Sequence, residues 1–107
     1  MDKREAVRVP VQVRARCRVE GLVIDGLVED VSRSGLFMRV ELPIEIGASA
    51  ELDLELPGED PLHLGVEVVR IEEQPRSGMA LRFTGDVDRA RKPLANFIMR
   101  QHQEATR

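Results

Sequence analysis

Residues 11–20 read VQVRARCRVE, and the order of these letters decides the fold. Val11, Val13, Ala15, Cys17 and Val19 fall on one side of an extended chain; Gln12, Arg14, Arg16, Arg18 and Glu20 fall on the other. Strict alternation of this kind marks a strand with one face buried and one in water. Glu20-Gly21 reads as a turn. After it, Leu22, Ile24 and Val28 are expected inward against Asp25 and Glu29, with Gly26 weakening the pattern. Two runs so close, split at a glycine, predict a hairpin. Upstream, residues 1–9 are charged and unpatterned and stop just before Pro10, which predicts an N-terminal arm.

Further along, the same period returns. Asp30 to Gly35, DVSRSG, is expected to be a polar loop, and Leu36 to Val40 a third strand. Pro43 and Gly47 frame a connection. Ala50, Leu52, Leu54 and Leu56 alternate with Glu51, Asp53 and Glu55, a fourth strand with an acidic outer face. PGEDP at 57–61 is a strong turn signal. Leu62, Leu64, Val66 and Val68 follow, and then the apolar phase slips to Val69 and Ile71, as a β-bulge would make it. Met79, Leu81 and Phe83 make a sixth run. Leu94, Phe97, Ile98 and Gln101 stand at helical spacing, which predicts a turn at 87–91 and a helix from Pro93 to about Gln103. Six short strands and one terminal helix predict a mainly all-β chain, a six-stranded antiparallel barrel or sandwich with the helix stripe covering an open end. The parts are an arm (1–9), the strands (10–84) and the turn and helix (86–104) of one domain over 1–107.

Composition bounds the function. With three Phe and no Tyr or Trp in 107 residues, the core must be aliphatic. No apolar run is long enough to span a membrane, and the charged N-terminus has no signal-peptide pattern. A single cysteine, Cys17, fits a buried strand position in a reducing, cytoplasmic setting. The net charge of −3 hides a segregation: residues 1–19 carry a net +4, residues 41–73 a net −9, and residues 74–107 a net +4. A basic nucleic-acid binder would be more uniform, whereas a local anion site at the N-terminus fits. His63 and His102 are far apart, no Cys or His pair has metal-ligand spacing, and there is no Walker or Rossmann glycine loop. We therefore expect no enzyme, no metal and no cofactor.

Two polar segments remain. Arg4 and Arg8 form R-x-x-x-R, a weak signal, since Arg14 and Arg18 repeat it on the first strand. Asp30, Ser32 and Gly35 form D-x-S-x-x-G, expected by chance roughly 0.02 times in a chain of this composition. Guanidinium forks match phosphate oxygens and the guanine edge. A carboxylate accepts from guanine N–H groups, a hydroxyl donates or accepts, and glycine permits close approach or positive φ. These residues describe a guanine nucleotide site with more than one phosphate. The loop alone fits equally well a turn in which Asp30 and Ser32 bond their own backbone.

R-x-x-x-R before a first strand, then D-x-S-x-x-G between strands two and three, resembles the PilZ domain family. Arg8-Val9-Pro10 and Ser77-Gly78-Met79-Ala80-Leu81-Arg82-Phe83 extend the resemblance over nearly the whole chain. The resemblance implies a bacterial six-stranded β-barrel with a C-terminal helix that binds cyclic di-GMP. By position Arg4 and Arg8 would take phosphates and a guanine edge, and Asp30, Ser32 and Gly35 the base and sugar. Lys3, Val9, Arg33, Ser34 and Gly78 are neighbouring candidates. Lys3 stands where many members have a further arginine, and Ala80 where relatives often have glycine. The implied role is a cytoplasmic receptor, monomer or homodimer, that regulates a protein partner in motility, exopolysaccharide export, transcription or development. The rival is an interaction module of the same shape without nucleotide. A polymer-binding barrel is disfavoured by the scarcity of stacking aromatics, and no membrane partner is expected.

Overall fold

The computed structural model describes residues 8–73, 75–84 and 88–105. Its strands are β1 (Val9–Val19), β2 (Leu22–Val31), β3 (Gly35–Arg39), β4 (Ser49–Leu54), β5 (Leu62–Glu72) and β6 (Gly78–Thr84), followed by helix α1 (Asp88–Ala105). All neighbours are antiparallel, and they close into a barrel in the order β1-β2-β3-β6-β5-β4. Closure falls on β1, whose residues Ala15 to Arg18 pair with Leu54 to Glu51 of β4 while the strand also pairs with β2.

The alternation in β1 holds. Val9, Val11, Val13, Ala15 and Cys17 are buried, and the arginines between them are exposed. Leu52, Leu54, Leu64, Val66, Val68, Met79 and Leu81 complete an aliphatic interior. On the outer face of β1 and β4, Arg18 donates to Asp53 at 2.9 Å, and His63 pairs with the same carboxylate. His63 is solvent-facing, as its place in the alternation requires. The β1–β2 turn is two residues long, with Glu20 at φ 48° and Gly21 at φ 84°. Two positive φ angles make a type I′ turn, which matches the twist of a hairpin.

Several expectations change. Leu22, expected inward from the alternation, is exposed because it sits at the hairpin tip beyond the reach of the core. The register of β5 against β6 shifts between Val68 and Arg70, so the bulge is real; Val69 is the extra residue and turns outward. The polar loop shrinks to 32–34, because β2 runs through Asp30 to Val31 and β3 begins at Gly35. The tail is one helix rather than a turn and a helix. Pro93 lies inside α1. Its missing N–H and ring clash cost about 3 kcal/mol. Burial of Leu94, Phe97 and Ile98 in the barrel core, at about 1.5–3 kcal/mol each, outweighs that cost. α1 packs on β1 and β5, and Arg100 ties it to the β4–β5 turn through Glu59 (2.9 Å) and the Pro57 carbonyl (3.1 Å). Among the described residues, no helix is long and apolar enough to cross a membrane.

Cys17 is fully buried, and desolvation pushes its thiol pKa upward. The thiolate is the reactive form. A thiol reagent at neutral pH is therefore expected to label the native protein very slowly and the urea-unfolded protein rapidly, as followed by mass spectrometry. Fast native labelling would contradict this core.

Candidate functional site

Asp30 is aimed by two irregularities in the sheet. The β1–β2 register shifts between Pro10 and Val13, and the β2–β3 register shifts between Val28 and Asp30. Bulges bend a strand and redirect its side chains. Here they leave Val9 and Val31 inside the barrel and turn Asp30, opposite Pro10, to the outer face beside Arg8. Arg8 then donates from Nε (3.0 Å) and Nη2 (2.7 Å) to a single oxygen, Oδ1 of Asp30. Residues 22 positions apart thus meet directly. The side chains are 46% and 27% exposed, so both remain open to solvent.

An open cleft of about 540 Å³ begins at this pair, and its lining includes Gln12, Glu29, Arg39 and Arg76. Glu29 accepts from Arg39 at 3.2 Å and from Arg76. The Arg76 guanidinium also covers the Phe37 ring, 4.3 Å from its centroid, and reaches Glu72 at 3.5 Å. Three guanidinium groups thus surround two carboxylates, Glu29 and Asp30. Such a cleft can offer forked donors to phosphate and carboxylate acceptors to an N–H edge.

Ser32 is different. It is fully buried and bonded within its own loop. Its amide donates to the Gly35 carbonyl at 2.8 Å, its hydroxyl lies 3.3 Å from the same oxygen, and the Ser34 amide donates to Ser32 Oγ at 3.2 Å. The Phe83 amide ties the loop to β6 through the Ser34 carbonyl at 2.9 Å. Ser32 therefore shapes the turn, the arrangement read above as self-bonding, whereas Asp30 bonds across to Arg8. Gly35 is required by close approach: a Cβ there would lie 2.1 Å from the Leu81 carbonyl oxygen.

The neighbouring candidates divide. Arg33 and Ser34 are exposed on the loop, and Val9 is a core residue. Gly78 lies under Phe37, where a Cβ would meet ring Cζ at 2.5 Å, and it pairs with Arg39 rather than with the 32–34 loop. Ala80 is buried opposite Phe37. Lys3 and Arg4 lie outside the described residues. Motif reading missed Arg39, Arg76 and Glu29. Outward alternation could have flagged Arg39, but nothing local marks Arg76, which reaches the cleft from the turn between β5 and β6.

A family model described as PilZ domain matches residues 2–100. No curated protein sequence matches the chain. Among solved structures, the Bacillus subtilis inhibitor of motility MotI (DgrA) aligns at 21% identity and a TM-score of 0.88, covering 100% of this chain and 55% of that one. The PilZ domain of Escherichia coli YcgR, solved with c-di-GMP, aligns at 14% identity and a TM-score of 0.83, covering 97% of this chain and 95% of that one. A longer YcgR chain, in complex with c-di-GMP, aligns at 14% identity and a TM-score of 0.84, covering 99% of this chain and 49% of that one. The chain thus spans about half the length of MotI and of the longer YcgR chain. At these identities the likeness is one of fold.

The two motif residues should separate by stability. Gly35→Ala forces a methyl into the β3–β6 contact and is expected to cost about 1–3 kcal/mol. Asp30→Asn removes a half-exposed ion pair and is expected to cost less than about 1 kcal/mol. Urea unfolding of both variants measures the difference, and equal losses would contradict the geometry.

Proposed function

The chain belongs to the PilZ domain family, and from that premise we propose that it is a receptor for cyclic di-GMP, the ligand of the YcgR structures, that regulates a protein partner, with motility an output suggested by its likeness to the inhibitor of motility MotI. The observation that carries this reading is the meeting of Arg8 and Asp30 at the mouth of one cleft. They come from two separate motifs, and the fold gives them one address.

The proposed mechanism is an exchange of partners. Arg8 leaves Asp30 for a phosphate or for the O6/N7 edge of a guanine. Asp30, released, accepts from the N–H groups of the other guanine edge. The half-exposed pair is worth at most about 1 kcal/mol. Each new charge-assisted bond to the ligand contributes about 1.5–3 kcal/mol. The balance therefore favours the bound arrangement. In this reading Ser32 and Gly35 hold the loop, Arg33 and Ser34 lie beside the base, and Lys3 and Arg4 bring further positive charge from the N-terminal arm. Replacing the Arg8–Asp30 contact by bound ligand would change the surface a partner meets. The chemistry asked of these residues is recognition rather than catalysis, in the cytoplasm where a second messenger circulates.

One observation favours a second reading. Asp30 and Ser32 are already bonded within the protein, as in a module that docks on its partner without nucleotide. Calorimetric titration with cyclic di-GMP separates the two. Arg8→Ala is expected to weaken binding tenfold to a hundredfold or more, with Asp30→Ala similar and both variants folded. Unchanged affinity in Arg8→Ala, or no binding by the parent protein, would contradict the receptor reading.

A further inference from the structure

At the hairpin end of the barrel, β2 loses its second neighbour. The β2–β3 ladder reaches only to Leu27 opposite Arg39. There the chain swings toward β6, and the Val40 amide donates to the Ser77 carbonyl at 3.3 Å. Gly26 marks the parting, since a Cβ on it would lie 2.4 Å from the Arg39 carbonyl oxygen. Past that point a groove of about 530 Å³ opens between Val23–Asp25 and Val40–Leu42.

The turn fixes which way the backbone of this edge faces. In a two-residue type I′ hairpin the closing pair, here Val19 and Leu22, exchanges both hydrogen bonds. Pairs then alternate, so Val23 and Asp25 direct their N–H and C=O groups away from β1. The Arg14 carbonyl, in the same phase on β1, points outward to the Glu55 amide at 3.2 Å. Among the described residues, no backbone group pairs with Val23 or Asp25 on the groove side. The apolar side chains beside the groove are open as well: Leu22 is 60% exposed, Val23 57% and Leu42 81%. An unpaired edge with exposed aliphatics is a template for a further strand.

We propose that this groove receives one extended segment of a protein partner, added antiparallel or parallel to β2, apolar where it meets Val23 and Leu42 and basic at its ends. Charge complementarity selects that chemistry. Asp25 pairs with Arg16, and Arg39 pairs with Glu29, which Arg76 shares while also reaching Glu72. Glu20 and Glu41 are exposed with no ion pair among the described residues, so the uncompensated rim charge is negative. A second copy of this chain fits poorly. A second β2 edge would bring its own Val40–Leu42 wall and its own acidic rim against this one. Five residues of β2, roughly 17 Å at about 3.3 Å per residue, separate Asp25 from Asp30. The groove shares Arg39 with the cleft at Arg8 and Asp30, yet the inference rests on the Val23–Asp25 edge and not on the nucleotide reading.

The test uses the intact chain and a synthetic probe, an acetylated, amidated heptapeptide of alternating valine and threonine with lysine at both ends. Amide NMR follows the titration to millimolar peptide. Shifts and slowed hydrogen exchange at Val23 and Asp25 are expected. Val23→Pro removes only an outward-facing donor, a placement proline tolerates at an edge, and is expected to weaken binding at least tenfold; Leu42→Asp is expected to do the same. The folded amide spectrum of each variant serves as control. The same peptide with glutamate ends is expected to bind at least several-fold more weakly. No perturbation at Val23 and Asp25, binding indifferent to both variants, or equal binding of the glutamate peptide would overturn the proposal. So would concentration-dependent shifts at these amides without peptide, which would make a second copy the occupant.

Discussion

β1 closes the barrel by pairing with both β2 and β4, and the rest of the molecule follows from that. β1 pairs with β2 along its length and with β4 over Ala15 to Arg18. A strand flanked on both sides inside a closed sheet must send every second residue into a common interior. The interior here is small, and Val, Leu, Ile, Met, Ala and Cys fill most of it, joined by Phe83 and Phe97. Closure then leaves one end to be sealed, and the Leu94, Phe97 and Ile98 face of α1 joins the core there. Burial of that face carries the helix through Pro93, which local propensity would have used as a boundary.

Much of this was legible because the chemistry is periodic. The alternation at 11–19 and 62–68, the turn at Glu20-Gly21 and the slip after Val68 each have a local signature, and each holds. What failed has a shared cause. Leu22 and Val69 are apolar residues whose placement depends on where the sheet ends or bulges, and composition does not say which residue of a bulge turns outward. The loop within 30–35 is shorter than its composition suggests because Asp30 and Gly35, both good turn formers, are held in strands by the β2–β3 and β3–β6 ladders.

The candidate site shows the same division. The motifs singled out Arg8 and Asp30 separately; their direct pairing follows from a pair of register shifts that no sequence pattern announced. Ser32 and Gly35 serve the loop that presents the site, one through bonds to its own turn and one through close contact with Leu81. Arg76 came from a distant turn and is held by Glu29, Glu72 and the face of Phe37. Tertiary structure alone could bring it to the cleft. The result is a set of charges satisfied by one another through half-exposed contacts, which is the condition a charged ligand needs in order to replace them cheaply.

The central claim is that Arg8 and Asp30 exchange each other for a cyclic dinucleotide at this end of the barrel. The most direct measurement is an amide NMR titration of the whole chain with cyclic di-GMP. The account predicts saturable shifts centred on Arg8, Asp30, Arg33 and Ser34, with Glu51 to Leu54 on β4 unmoved. Saturable shifts confined to another face, or none at millimolar ligand, would contradict it.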